Sequence, residues 1–186
     1  STKFFILFNS NANKFLFSIL TPYKNSNITG IIEKSLMKGV FYMNSKFYLH
    51  KGKNRKAENG RPWIYIDEIN EYDGDYENGD IVEVYNHKGY FIGKGYINDR
   101  SKITIRIMTR DKDEVINKEF FKKRFDSAWE YRKTVIDTSS CRFIFGEADL
   151  LPGLTVDKFE DYYVIQISTL GMDKYRDIIV DILVNN

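Results

Sequence analysis

Cysteine is almost missing from this chain of 186 residues: Cys141 stands alone, which excludes an internal disulfide and a zinc site built on cysteines. With no disulfide framework and no recognisable signal segment, a reducing cytoplasm is the expected setting. Histidine is equally scarce. His50 and His87 both lie far in sequence from the acidic group Glu147, Asp149 and Asp157, which argues against a hydrolytic metal site there. The three prolines, Pro22, Pro62 and Pro152, are isolated, and there is no low-complexity tail or internal repeat. Long apolar runs are missing too. Phe4-Phe5-Ile6-Leu7-Phe8 falls far short of the roughly 20 residues a membrane helix requires, and the polar stretch Asn9 to Asn13 interrupts it.

What is present is aromatic and mixed in charge. Aromatic residues make up 16% of the chain and hydrophobic residues 42%, enough for one or two packed domains. The net charge of +2 does not mark a nucleic-acid binder, but the charge is unevenly placed. Residues 1–42 hold Lys3, Lys14, Lys24, Lys34 and Lys38 against the single acid Glu33, with no sustained helix or strand period. Lys38-Gly39-Val40-Phe41-Tyr42-Met43 can be encoded by a ribosome-binding sequence at ordinary spacing before an ATG. Read so, Met43 is the start and residues 1–42 are translated upstream, non-native sequence; a genuine N-terminal extension is the other reading.

From Met43 the pattern becomes regular. Strands are expected at 46–51, 63–69, 81–85, 90–96 and 103–108, with a basic turn or short helix over 53–59. Asp73-Gly74-Asp75, Glu77-Asn78-Gly79-Asp80 and Asn86-His87-Lys88-Gly89 read as turns. Short strands with glycine turns at this spacing predict a small β-barrel. After a connector, Asn117 is placed to cap a helix running to Val135, with Phe120, Phe121, Phe125, Ala128, Trp129 and Arg132 near one face. Strands follow at 142–145, 154–158 and 162–168, then an amphipathic helix over 173–183.

Five features invite chemistry. Lys46, His50, Lys51, Lys53, Arg55, Lys56 and Arg61 form a basic stretch opposed only by Glu58, suited to phosphates because each neutralised phosphate releases a counterion. Tyr48 and Trp63 are placed to stack on unpaired bases, or to anchor the core. Glu147, Asp149 and Asp157 form a carboxylate group that either walls a substrate cleft or fixes a strand connection. Gly93-Lys94-Gly95 is only a fragment of a phosphate loop, since Asn98 holds the place of its third glycine and strands flank it; a strand bend is the expected role. Cys141 reads as a structural, half-buried residue.

Three blocks carry a resemblance. They are Lys51-Gly52-Lys53 through Gly60-Arg61-Pro62-Trp63-Ile64-Tyr65; Gly79-Asp80-Ile81-Val82 through Gly89-Tyr90-Phe91-Ile92-Gly93-Lys94-Gly95-Tyr96 and Arg106-Ile107-Met108-Thr109; and Tyr131-Arg132 through Arg142-Phe143 and the run Gly146–Phe159. Together they resemble the N-terminal half of the class I, S-adenosylmethionine-dependent large-subunit rRNA cytosine-5 methyltransferases. Arg61 stands where that family usually has His, and Leu150 where it usually has Gly. The resemblance implies an α+β chain: a PUA-type RNA-binding β-barrel over 43–112, then a central α/β domain over 115–186. The Rossmann-like methyltransferase domain would lie beyond Asn186, with the catalytic cysteine and the Asp-Pro-Pro motif that this sequence lacks. On this reading the parent uses S-adenosylmethionine on ribosomal RNA in the cytoplasm. The present chain supplies RNA docking through Lys51, Lys53, Arg55, Lys56 and Arg61 and a cleft wall through Glu147, Asp149 and Asp157. It binds neither cofactor nor metal and is inactive alone. A stand-alone PUA-type RNA-binding module, or a module for protein partners, are the competing classes.

Overall fold

The computed structural model describes residues 44–185 and the strand backbone of residues 4–9 and 18–20. The fold is mixed α/β with two sheets. The chain enters the first sheet through β1 (Phe4–Asn9) and β2 (Ser18–Leu20) and then builds the second with β3 (Lys46–Leu49), β4 (Trp63–Tyr65), β5 (Ile69–Asp73), β6 (Ile81–Tyr85), β7 (Phe91–Ile97) and β8 (Ile103–Thr109). This second sheet is a curled half-barrel of six strands in the order β4-β8-β7-β6-β3-β5. Its neighbours are antiparallel except β3 and β6. Alternation decides the buried face: in β3, Phe47 and Leu49 turn inward to meet Ile64, Val82, Val84, Ile97 and Ile105.

A long helix (Lys118–Val135) follows, then β9 (Ser140–Phe145), a 3-10 turn (Gly146–Asp149), β10 (Leu154–Phe159), β11 (Tyr162–Ile167), a short helix (Leu170–Asp173) and a terminal helix (Arg176–Asn185). The first sheet has the order β2-β1-β11-β10-β9, and β1 lies parallel to β11 with Phe4 opposite Tyr162 and Asn9 opposite Ile167. The long helix starts where expected: the Asn117 side chain accepts the Phe120 amide at 3.0 Å, satisfying one of the first-turn donors. Phe121, Phe125 and Ala128 then fall at three- and four-residue spacing and pack onto Phe143, Ile144, Leu154, Val156 and Ile165. The terminal helix closes the core with Ile179 and Leu183. Tyr96 and Met108, from the half-barrel, belong to this second core, so the two sheets are coupled by packing.

Several expectations are revised. The barrel is an open sheet edged by β4 and β5 rather than a closed one. The strand expected over 63–69 breaks at a 3-10 turn, Ile66–Glu68, where the Glu68 carboxylate accepts the Tyr65 amide at 2.9 Å. The chain then re-enters the sheet as β5, whose polar sequence Ile-Asn-Glu-Tyr-Asp hides a strand because an edge strand leaves most side chains in water. The final helix is interrupted at Lys174 and Tyr175. Phe4–Asn9, for which no period was expected, is a strand, in keeping with a continuous run of β-prone apolar residues. Apart from β1 and β2, the reading of residues 1–42 as upstream sequence lies outside the described residues.

Candidate nucleic-acid interface

The basic stretch folds as a turn after β3 and a four-residue helix, Arg55–Glu58. Its charges divide into two groups. Lys53 Nζ is held by Asp67, 2.7 Å from Oδ2 and 2.9 Å from the backbone carbonyl. The Lys53 hydrogen bond lowers the Asp67 carboxyl below its ordinary range. Arg61 grips both carboxylate oxygens of Glu68 and lies 5.2 Å over the Tyr65 ring. These two candidates are engaged in holding the 3-10 turn. Lys51, Arg55 and Lys56 are exposed.

The hairpin turn between β6 and β7 adds to that exposed group. Asn86 is buried and organises it: its side-chain oxygen accepts the amides of Lys88 (2.9 Å) and Tyr90 (3.0 Å), and its side-chain nitrogen donates to Glu58 at 2.8 Å. Glu58 also accepts from Asn54 at 2.7 Å. Hydrogen bonds from Asn86 and Asn54, helped by the nearby His87 and Lys88 charges, lower the Glu58 carboxyl. This acid is therefore spent on clamping the short helix to the hairpin, and the surface around it presents Arg55, Lys56, His87 and Lys88. Tyr90, 68% exposed, stands at the same turn. In sequence Asn86-His87-Lys88-Gly89 reads as a turn, with two basic groups at its tip as the signal of a further role. Tyr48 stacks on the buried Tyr85 at 5.6 Å and is not a free stacking platform.

Trp63 is half-buried, and its indole N–H donates to Glu147 across the two sheets at 3.0 Å. The other two carboxylates are also engaged. Asp149 takes a two-pronged grip from Arg132, at 3.1 and 2.6 Å, and accepts the Phe145 amide at 2.6 Å. Asp157 is paired across β9 and β10 with Arg142, at 2.8 and 3.1 Å. The structure thus gives each of the three its own partner. No three metal-ligating side chains converge among the described residues. Burial pushes the Cys141 thiol up, the opposite of what an activated nucleophile requires. Gly93 and Gly95 lie inside β7, where a Cβ on Gly95 would sit 1.9 Å from the Arg106 carbonyl oxygen. Their role is close strand packing, and they do not fit the phosphate-cradling loop that a nucleotide-type cofactor would need. No helix among the described residues is long and apolar enough to cross a membrane.

Residues 47–110 match the PUA-like domain family, which covers the half-barrel strands and the basic face. The chain is 34% identical over 145 residues to the ribosomal RNA large subunit methyltransferase I of Aliivibrio fischeri strain MJ11, a match covering 76% of this chain and 37% of that protein. The protein of the same name from Shewanella frigidimarina is 37% identical over 140 residues, covering 73% of this chain and 35% of its own length. Among solved structures, a candidate SAM-dependent methyltransferase from Streptococcus mutans superposes with a TM-score of 0.62 at 19% identity, over 74% of this chain and 36% of that one. A candidate methyltransferase complexed with SAH gives the same TM-score at 20% identity. These two likenesses establish the fold, and the chain spans little more than a third of the relatives it matches.

Proposed function

We propose that this chain is the RNA-docking and substrate-positioning part of an S-adenosylmethionine-dependent rRNA methyltransferase, one that modifies carbon 5 of a cytosine in large-subunit rRNA in the cytoplasm. The observation that carries the reading is the exposed face of the half-barrel. There Arg55, Lys56, His87 and Lys88 outnumber Glu58, whose Oε1 accepts from Asn54 and Asn86, with Tyr90 beside them. Clustered cations bind the phosphate backbone without reading sequence, and an exposed ring stacks on an unpaired base. The similarity to rRNA methyltransferases over 145 residues supports ribosomal RNA as the ligand. The reading places an RNA-binding unit at 43–112 and a central unit at 115–186. The methyl-transfer chemistry and the S-adenosylmethionine site belong to a further domain of the parent protein.

The test is a titration of large-subunit rRNA fragments at several salt concentrations. Affinity should fall as salt rises. Replacing Lys51, Arg55 and Lys56 with Ala should weaken binding and flatten the salt dependence by roughly 0.7–0.9 in log–log slope per lost phosphate contact, with the melting temperature unchanged. Salt-independent binding, or undiminished affinity in the triple variant, would count against this face. Methyl transfer by the chain alone would refute its assignment as a docking part.

A further inference from the structure

A second surface, on the other unit, has the composition of a nucleotide site. The long helix and the Gly146–Asp149 turn enclose an open groove of about 560 Å³. Tyr131 and Phe145 line it while remaining 60% and 54% exposed, with Leu150 beside them. Single exposed apolar groups are ordinary, but three gathered in one groove form a patch of the kind that marks a binding surface. Each ring has a guanidinium over one face, Arg132 at 5.4 Å from Tyr131 and Arg142 at 5.2 Å from Phe145.

The groove's charge selects among occupants. Arg132 and Asp149 neutralise each other, while Lys123 and Arg124 share a single carboxylate, so the groove keeps an excess of positive charge, exposed at Lys123. Their partner, Glu114, is held loosely, at 3.7 Å from Lys123 and 3.6 Å from Arg124, beyond hydrogen-bond reach. Arg124 Nε is buried without a hydrogen-bond partner. Arg124 is held in place, over the Phe120 ring at 4.9 Å and 3.5 Å from the Met108 carbonyl oxygen, so the exposed Lys123 is the cation that, beside the exposed aromatics, suits a phosphate and its base. The half-barrel offers a contrast: its own pocket, of about 410 Å³, is lined by Tyr72 and Tyr76 together with Glu71 and Asp99, carboxylates that would repel a phosphate.

We propose that the groove between the long helix and the Gly146–Leu150 turn holds an unpaired RNA nucleotide, its base stacked on Tyr131 and Phe145 and its phosphate against Lys123. The proposal rests on the RNA-docking reading above and adds a second contact, so that one strand is held by both units of the chain.

The test uses the 186-residue chain and a fluorescein-labelled single-stranded RNA of about ten nucleotides, within the usual span of such sites. Tyr131→Ala and Phe145→Ala should each weaken binding roughly five-fold or more, whereas Tyr131→Phe, which keeps the ring, should bind as the parent does. Lys123→Ala should lower the salt slope by about 0.7. Ultraviolet crosslinking should map to the groove. Melting temperatures of the variants, whose side chains are exposed, verify that they are folded. Wild-type affinity in both Ala variants overturns the proposal. If Lys56→Ala on the half-barrel weakens binding in that same series, the docking reading survives and only the groove fails. If the groove variants weaken binding and Lys56→Ala does not, the groove stands and the basic face fails. No RNA binding by the unaltered chain refutes both.

Discussion

Gly171 lies directly against the ring of Tyr96: a Cβ added to this glycine would meet Tyr96 Cγ at 2.1 Å. The contact joins the short helix after β11 to strand β7 of the half-barrel. The Tyr96 hydroxyl donates to the Pro152 carbonyl at 3.0 Å and lies 2.9 Å from Thr169 Oγ1, which can donate to it. Burial raises the Tyr96 phenol well above its ordinary range, so it stays protonated as this geometry requires. Gly171→Ala should therefore cost about 1–3 kcal/mol by overpacking, and Tyr96→Phe about 1 kcal/mol or more by leaving a buried carbonyl unsatisfied. Urea denaturation measures both. Tyr96→Ala removes the ring that Gly171→Ala would strike, so a double variant of these two should lose less than the sum of the singles. Full additivity would show that Gly171 and Tyr96 are not coupled.

Arg132 is the buried partner of Asp149, with side chains only 10% and 9% exposed. Arg132 Nε also donates to the Arg142 carbonyl at 3.0 Å, so one guanidinium ties the long helix to β9 and to the 3-10 turn. Removing one member of such a pair strands a buried charge. Arg132→Met should destabilise the fold by about 3 kcal/mol, and Arg132→Met with Asp149→Leu by distinctly less, because no charge is then left unpaired. Chemical denaturation of the two variants distinguishes them. Equal losses would mean that packing, not ion pairing, dominates at this site.

These two contacts mark where the sequence is legible and where it is not. The helix from Asn117, its apolar stripe and most strands are visible because capping and periodicity are local properties. Arg132 appears on that stripe, but nothing local announces that a buried arginine will meet a carboxylate seventeen positions away. Likewise Glu147, Asp149 and Asp157 read in sequence as one carboxylate group, and only the folded chain shows that Asp149 and Asp157 each have their own arginine. The basic stretch is legible as charge. That Lys53 and Arg61 are held by Asp67 and Glu68 depends on the fold of the 3-10 turn, and that His87 and Lys88 join from a hairpin depends on a long-range clamp by Asn86. Strand β5 is missed because polar edge strands lack the alternation of half-buried ones.

Leu150 adopts the left-handed conformation, with φ 59° and ψ 28°, at the residue that ends the 3-10 turn. A side chain there pays a steric cost that glycine does not, on the order of 1 kcal/mol, partly offset because glycine is freer when unfolded. Leu150 is half-exposed, so its removal forfeits little packing. Leu150→Gly should be neutral or stabilising by up to about 1 kcal/mol, and the branched Leu150→Val should be destabilising. The denaturation midpoint reads the order Gly, Leu, Val. The reverse order would show that the leucine side chain supports the turn. If Tyr131 and Phe145 form the base platform, Leu150→Gly should also weaken RNA binding less than loss of either ring.

Asp80 and Lys174 link the loop before β6 to the residues following the short helix, at 2.7 Å. Burial opposes ionisation of Asp80, but the Lys174 ammonium and the Glu77 amide, which donates at 2.8 Å, outweigh it and lower the carboxyl below its unfolded value of 3.8. A carboxyl depressed in the folded state contributes stability that is present above the unfolded value and is lost as pH falls through the folded one. The difference in melting temperature between the parent and Asp80→Asn should therefore be constant from about pH 5 to pH 8 and shrink below about pH 4. Both side chains are partly exposed, so the difference should be small and should fall further in high salt. A difference that grows on acidification would reverse the sign of the linkage and remove Asp80 as an electrostatic tie between the two units.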